Sequence, residues 1–210
     1  GKAVHLGETR LREQLFEVAR RVAGAAEDSD CALTPDAVVV AGRTVELDKL
    51  VPEGPLRAEG HHDGTPRSGV FNVHAFRVAV DTVTGEVRIL QSIQAADAGT
   101  VLNPQQCRGQ VEGGVAQAIG SALYEEILLD GAGTVLNPQL RNYHIPQLVD
   151  VPDTEVYFAD TYDELGPHGA KSMSESPYNP VAPPRANAIA DATGARLRRL
   201  PMTPAAVWRA

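Results

Sequence analysis

The chain has 210 residues, 43% of them hydrophobic and 22% charged, with a formal net charge of -8. That balance suits a globular protein with a real core. So acidic a chain is a poor candidate for nucleic acid or an anionic membrane surface, since both need basic patches. The longest apolar runs, such as Ala37 to Ala41, are far too short for membrane insertion, and no basic stretch followed by an apolar one marks a signal peptide. The chain opens on Gly1 rather than Met and reads as a processed or excised piece. Cys31 and Cys107 can build neither a disulfide framework nor an iron–sulfur cluster, which takes about four thiolates. A reducing cytoplasm fits them best.

Thr9 to about Ala25 predicts an amphipathic helix, with Leu11, Leu15, Val18, Ala19 and Val22 at helical spacing. A small β unit follows, Val38-Val39-Val40 and Thr44 to Leu47 flanking the turn signal Ala41-Gly42. These elements make a first region, residues 1–51. Residues 52–69 hold three prolines, four glycines and His61-His62, and read as a linker or long loop. Residues 70–210 form the denser remainder. Val70 to Val80, with Phe76, Val78 and Val80 on one face, pairs across Thr82-Val83-Thr84-Gly85 with Glu86 to Ala95 as a β-hairpin. Asn103-Pro104 introduces a long helix to about Glu126, with Val111, Val115, Ile119 and Ala122 on one face. Gly131-Ala132-Gly133 is a turn and Thr154 to Phe158 a short strand. Gly166 to Asn179 is a polar loop. Ala182 to Thr193 is a helix opened by Pro183 and Pro184 and stopped by Gly194. Thr203-Pro204 caps and opens a last helix. The class is α+β, mixed helices and β-hairpins.

Two features could carry chemistry. Gly109, Gly113, Gly114 and Gly120 fall in one helix, although each glycine there costs roughly 1 kcal/mol relative to alanine. Something must approach this backbone closely. Composition favours a packed neighbour, and the alternative is a ligand at the helix N-terminus, where free N–H groups favour anions. The loop Lys171-Ser172-Met173-Ser174-Glu175-Ser176-Pro177 concentrates hydroxyls, one cation and one carboxylate before a helix. It reads either as a solvated capping loop or as a general base held at a loop tip. His61-His62 lack partners for a tetrahedral metal set and read as solvated. Gly131-x-Gly133 lacks the third glycine of a nucleotide fingerprint, and no Gly-x-Ser-x-Gly elbow supports serine hydrolysis.

Taken together, these segments resemble the C-terminal half of the molybdenum-binding subunit of the xanthine dehydrogenase and aldehyde oxidase family. The hairpin Phe76 to Asp81 with Thr84 to Val87 looks like the family's strand pair. Asp97-Ala98-Gly99 with Leu102-Asn103-Pro104, then Gly109-Gln110-Val111-Glu112-Gly113-Gly114 with Gln117, then Tyr143-His144-Ile145-Pro146 follow in the family's order. Lys171 to Pro177 aligns with the segment holding the catalytic glutamate, and Asn187-Ala188 with Asp191 to Gly194 matches the helix behind it. Many motifs in one order are more specific than any one of them, and they span nearly the whole chain.

The resemblance implies that residues 70–210 are the C-terminal part of a molybdenum-cofactor-binding domain. It implies a molybdenum-pyranopterin, as molybdopterin or its cytosine dinucleotide, with no direct metal ligand from the protein. Gln110 would hydrogen-bond the oxygens around the molybdenum, Gly109, Gly113 and Gly114 with Ser172 and Ser174 would border the cofactor, and Glu175 would be the general base. One departure is Ser174, where the family usually has glycine. The activity implied is hydroxylation of an aldehyde or N-heterocycle with water as the oxygen source. An upstream half of the subunit would complete the pocket, and iron–sulfur clusters and FAD on partner subunits or domains would take the electrons. The alternative is a non-catalytic assembly module that keeps the fold and binds no cofactor.

Overall fold

Helix α1 spans Lys2–Ala23 and ends on Gly24 in the left-handed conformation (φ 62°). It begins seven residues before the Thr9 that periodicity picks out, because the segment Lys2 to Glu8 holds no breaker stronger than Gly7. Gly7 is small for a reason outside the helix pattern: a Cβ there would lie 3.2 Å from the backbone nitrogen of Gly60, and one on Gly60 would collide with the Ala3 carbonyl. The guanidinium of Arg10 donates to the Glu59 carbonyl at 2.6 Å. Glu59 and Gly60, within the stretch 52–69, therefore lie along α1.

The computed structural model describes residues 1–210 and divides into two units, Gly1–Arg67 and Ser68–Ala210. In the first, β1 (Cys31–Leu33), β2 (Ala37–Val40) and β3 (Arg43–Glu46) form an antiparallel meander. Strand β1 has no clear alternation and was not legible in the sequence. The β2–β3 turn is Ala41-Gly42, both at positive φ, the twist that tight hairpins prefer. Val18 and Ala19 of α1 pack with Val38, Val40, Val45 and Leu50.

The second unit is built on a sheet of order β4-β5-β6. Strands β4 (Asn72–Val80) and β5 (Val87–Ala96) are the expected hairpin, and β6 (Thr154–Phe158) runs parallel to β5. The connection between them carries helix α2 (Pro104–Leu123), capped by the Asn103 side chain on the Gln106 N–H. Helix α2 ends at Leu123, three residues before the expected Glu126. A short helical turn, α3 (Leu140–Tyr143), went unforeseen. Helix α4 (Ala182–Thr193) has the expected bounds and stops on Gly194 at φ 81°. Helix α5 (Pro204–Arg209) is capped by the Thr203 hydroxyl on the Ala206 N–H.

The inner sheet face, with Phe76, Ile89, Ala96, Val156 and Phe158, meets Val111, Val115, Ala118, Ile119 and Leu123 of α2 together with Val181. A second cluster joins Ala122 and Ile189 to Met202 and Val207. Opposite, the outer sheet face is open, with Val73 and Tyr157 more than half exposed. The fold is α+β, and no helix is long and apolar enough to cross a membrane.

Candidate functional site

The glycine-rich helix divides its glycines between two tasks. A Cβ on Gly114 would lie 3.1 Å from the Pro177 side chain and 3.4 Å from the Tyr178 nitrogen. That glycine is spent on packing the loop that follows Glu175. Gly120 is likewise crowded, by Pro146 and the Glu125 side chain. Gly109 and Gly113 meet nothing within 4 Å, and both are exposed. They lie four apart, so they share one face of α2, with exposed Gln110 beside them and Gln117 a turn further on. Close packing therefore accounts for Gly114 and Gly120, and Gly109 and Gly113 face open space.

The loop from Gly166 to Asn179 is brought to this face by three attachments. At its start, the Lys171 ammonium donates to the Asp97 carboxylate at 2.6 Å and to the Gly69 carbonyl at 3.1 Å. In its middle, the Gln110 amide donates from Nε2 to the Ser174 carbonyl at 2.6 Å. At its end, the Gln94 amide donates to the Pro177 carbonyl at 3.1 Å. Between these points the chain turns tightly, with Ser176 N–H on the Met173 carbonyl and Tyr178 N–H on the Glu175 carbonyl. Glu175 stands exposed at the tip, its carboxylate accepting from the Ser174 hydroxyl at 3.3 Å. Ser172 is exposed.

Electrostatics concentrate at the loop's root. Burial alone would raise the Asp97 carboxyl, but hydrogen bonds from Lys171, Thr161 and the Gly99 N–H outweigh it and hold the pKa at about 2. Lys171 is committed to that pair, so its charge is directed to Asp97 rather than to Glu175. Burial also holds the His74 imidazole below its usual range, its hydrogen bond to Gln94 opposing. No group of three His, Cys, Asp or Glu side chains is placed to hold a metal, and both cysteines are free thiols.

A model of the molybdopterin cofactor-binding domain matches residues 1–152. The chain belongs to the molybdopterin cofactor-binding domain family. It is 36% identical over 152 residues to the putative xanthine dehydrogenase molybdenum-binding subunit of Escherichia coli strain K12, which is 72% of this chain and 20% of that one. It is 34% identical over 213 residues to the probable hypoxanthine oxidase of the same organism, covering 97% of this chain and 22% of that one. Among solved structures, quinoline 2-oxidoreductase from Pseudomonas putida 86 superposes with a TM-score of 0.86 at 29% identity, over 96% of this chain and 28% of that one. This molybdopterin cofactor-binding domain chain thus spans about a fifth of the length of the relatives it matches.

Within this member of the family, the structure brings Gln110, Ser174, Glu175 and the bare glycines Gly109 and Gly113 to one surface. Gly114 lies under that surface as a packing contact. Sequence reasoning missed Lys171 as an anchor, Gln94 and His74. Asp97 was legible only as part of a motif. The signal for Gln94 was a polar residue at an inward position of β5, between Ser92 and Ala96.

Proposed function

We propose that this chain is the C-terminal part of a molybdenum-dependent hydroxylase that oxidises an aldehyde or N-heterocycle with water as the oxygen source. The observation that carries the proposal is the convergence of a fixed carboxylate loop on a glycine-bared helix face, through the 2.6 Å bond from Gln110 to the Ser174 carbonyl. The residues present fit a molybdenum-pyranopterin. Gly109 and Gly113 leave open the space a Cβ would fill, and Gln110 has a second N–H and a carbonyl oxygen beyond its bond to the loop. When bound, that cofactor would activate water and accept two electrons.

The chain's own residues would do the rest. Gln110 would hold the cofactor's oxygens while keeping Ser174 in place. Glu175 would take the proton from the attacking water as general base. Ser172 and Ser174 would border the pocket. The remainder of the subunit would close it and supply most substrate contacts, and iron–sulfur and flavin partners would carry the electrons away. The two unpaired thiols are consistent with a cytoplasmic setting.

The test is reconstitution. Joined to the remainder of its subunit and loaded with cofactor, the chain should retain molybdenum and oxidise benzaldehyde or hypoxanthine, with oxygen-18 from labelled water entering the product. The chain alone should turn over neither. Product oxygen drawn from dioxygen, or turnover by the chain alone, would contradict the proposal.

A further inference from the structure

A row of polar side chains interrupts the apolar inner face of the β4-β5-β6 sheet. His74 and Gln94 are direct partners across β4 and β5, and Ser92 and Thr154 are partners across β5 and β6. Ser92 and Gln94 are fully buried, and His74 and Thr154 nearly so. His74 Nδ1 lies 2.8 Å from Gln94 Oε1, His74 Nε2 lies 3.0 Å from Ser92 Oγ, and Ser92 Oγ lies 2.9 Å from Thr154 Oγ1.

The chemistry of these groups gives the row one direction. Gln94 Oε1 can only accept, so His74 Nδ1 carries the proton. In the neutral ring Nε2 must then accept, from the Ser92 hydroxyl, and Ser92 in turn accepts from Thr154. Donation runs from Thr154 through Ser92, His74 and Gln94 and ends on the Pro177 carbonyl, 3.1 Å from Gln94 Nε2. Turning the Gln94 amide over would set its NH2 against a donor and its oxygen against a carbonyl. The second contact would be repulsive whichever ring nitrogen of His74 carries the proton, in a place where water cannot intervene. The Pro177 carbonyl therefore fixes which way the Gln94 amide faces, and His74 supplies the matching donor that holds its oxygen. Pro177 is held from the other side by the Gly114 backbone.

We propose that Gln94, held by His74, is a positioning residue that fixes the Pro177 carbonyl and thereby the carboxylate of Glu175 two residues before it. The proposal rests on the reading of Glu175 as general base. Gln110 and Lys171 hold the loop only upstream of Glu175. Gln94 is the hydrogen-bonded attachment on the other side, beside the packing of Pro177 on Gly114, so its loss loosens the turn whose last bond is Tyr178 N–H on the Glu175 carbonyl.

The experiment uses the full-length, cofactor-loaded enzyme with Gln94→Met, His74→Phe and His74→Asn. Hydrogen exchange at the Ser176 and Tyr178 amides, molybdenum content, kcat and KM are measured, with benzaldehyde or hypoxanthine as the oxidised probe. Gln94→Met should speed exchange at those two amides roughly fivefold or more while β4 and β5 keep their protection. It should lower kcat about 10- to 100-fold with KM and molybdenum content unchanged. His74→Phe, whose ring fits beside Phe76, should show the same pattern and carries the test if Gln94→Met does not fold. His74→Asn keeps a donor for Gln94 and should restore much of kcat. Unchanged loop exchange, loosening that spreads through the sheet, an unaltered kcat, or failure of His74→Asn to differ from His74→Phe would each overturn the positioning role. The exchange measurement needs no substrate, so the two readings fail separately. Turnover that survives Glu175→Gln removes the general base, and the positioning role with it, even where the loop loosens.

Discussion

Ser174 sits at φ 34°, in the left-handed region where a Cβ costs about 1–2 kcal/mol. Glycine, which the resemblance leads one to expect here, would carry no such cost, and serine, small and polar, is a tolerable occupant. Its hydroxyl on the Glu175 carboxylate returns part of the cost. Ser174→Gly should therefore leave turnover within about threefold and change stability by no more than about 1 kcal/mol in either direction, since glycine relieves strain but loses more backbone entropy. Thermal unfolding and steady-state rates of the two proteins check it. Arg185 is an opposite case. It is fully buried on α4, none of its guanidinium nitrogens has a hydrogen-bond partner, and its cation lies 5.9 Å from the centre of the Phe76 ring. Burial lowers its pKa to about 10. The folded pKa is below the ordinary value, so the protonated form is disfavoured on folding, and at neutral pH the protein still carries that charge. Arg185→Met keeps the apolar stem and removes the cation, and should stabilise the protein by about 1–3 kcal/mol in denaturant titrations.

At the scale of elements, the Gly166–Asn179 loop is an ordered arm because Asp97 and Lys171 root it at the end of β5. Gly99 and Ala170 form a bridge, and the Lys171 N–H donates to the Ala98 carbonyl. The Asp97 carboxyl has its folded pKa depressed to about 2 against an ordinary value near 3.8. Its stabilising contribution is thus present above about pH 4 and is lost as the pH falls toward 2. Asp97→Asn should cost about 1.5–3 kcal/mol at neutral pH, the worth of a hydrogen bond to a charged group. It should also flatten the pH dependence of unfolding between pH 4 and 2, and an unchanged acid limb in urea titrations would contradict this. These long-range attachments are what the sequence could not reveal. The hairpin, α4 and its glycine stop, and the Thr203 cap follow local rules and were legible residue by residue. So was the oddity of a helix with four glycines. Which glycine packs and which stays bare depends on where Pro177 and Pro146 arrive from distant parts of the chain. The close approach of Gly60 to Ala3 and Gly7 of α1 is likewise a long-range contact, and no periodicity in Lys2 to Glu8 encodes it. A polar residue at an inward strand position, Gln94, was visible but had no meaning until Pro177 was beside it.

Across the whole molecule, apolar side chains stand exposed where a small protein normally hides them. Leu148 is 91% exposed and Val149 87%, and Leu140, Leu136 and Ile127 are each above half. Both units carry their own small cores, and the core of the second backs the Glu175 loop through Val181 and Tyr178. On the proposed function, this geometry serves to place one carboxylate. The direct measurement is steady-state turnover and molybdenum content of the full-length, cofactor-loaded enzyme carrying Glu175→Gln, a change that keeps shape and removes the base. The expected result is turnover reduced by about 10²–10⁴ with molybdenum content equal to wild type. Turnover within a few-fold of wild type at equal molybdenum content would contradict it.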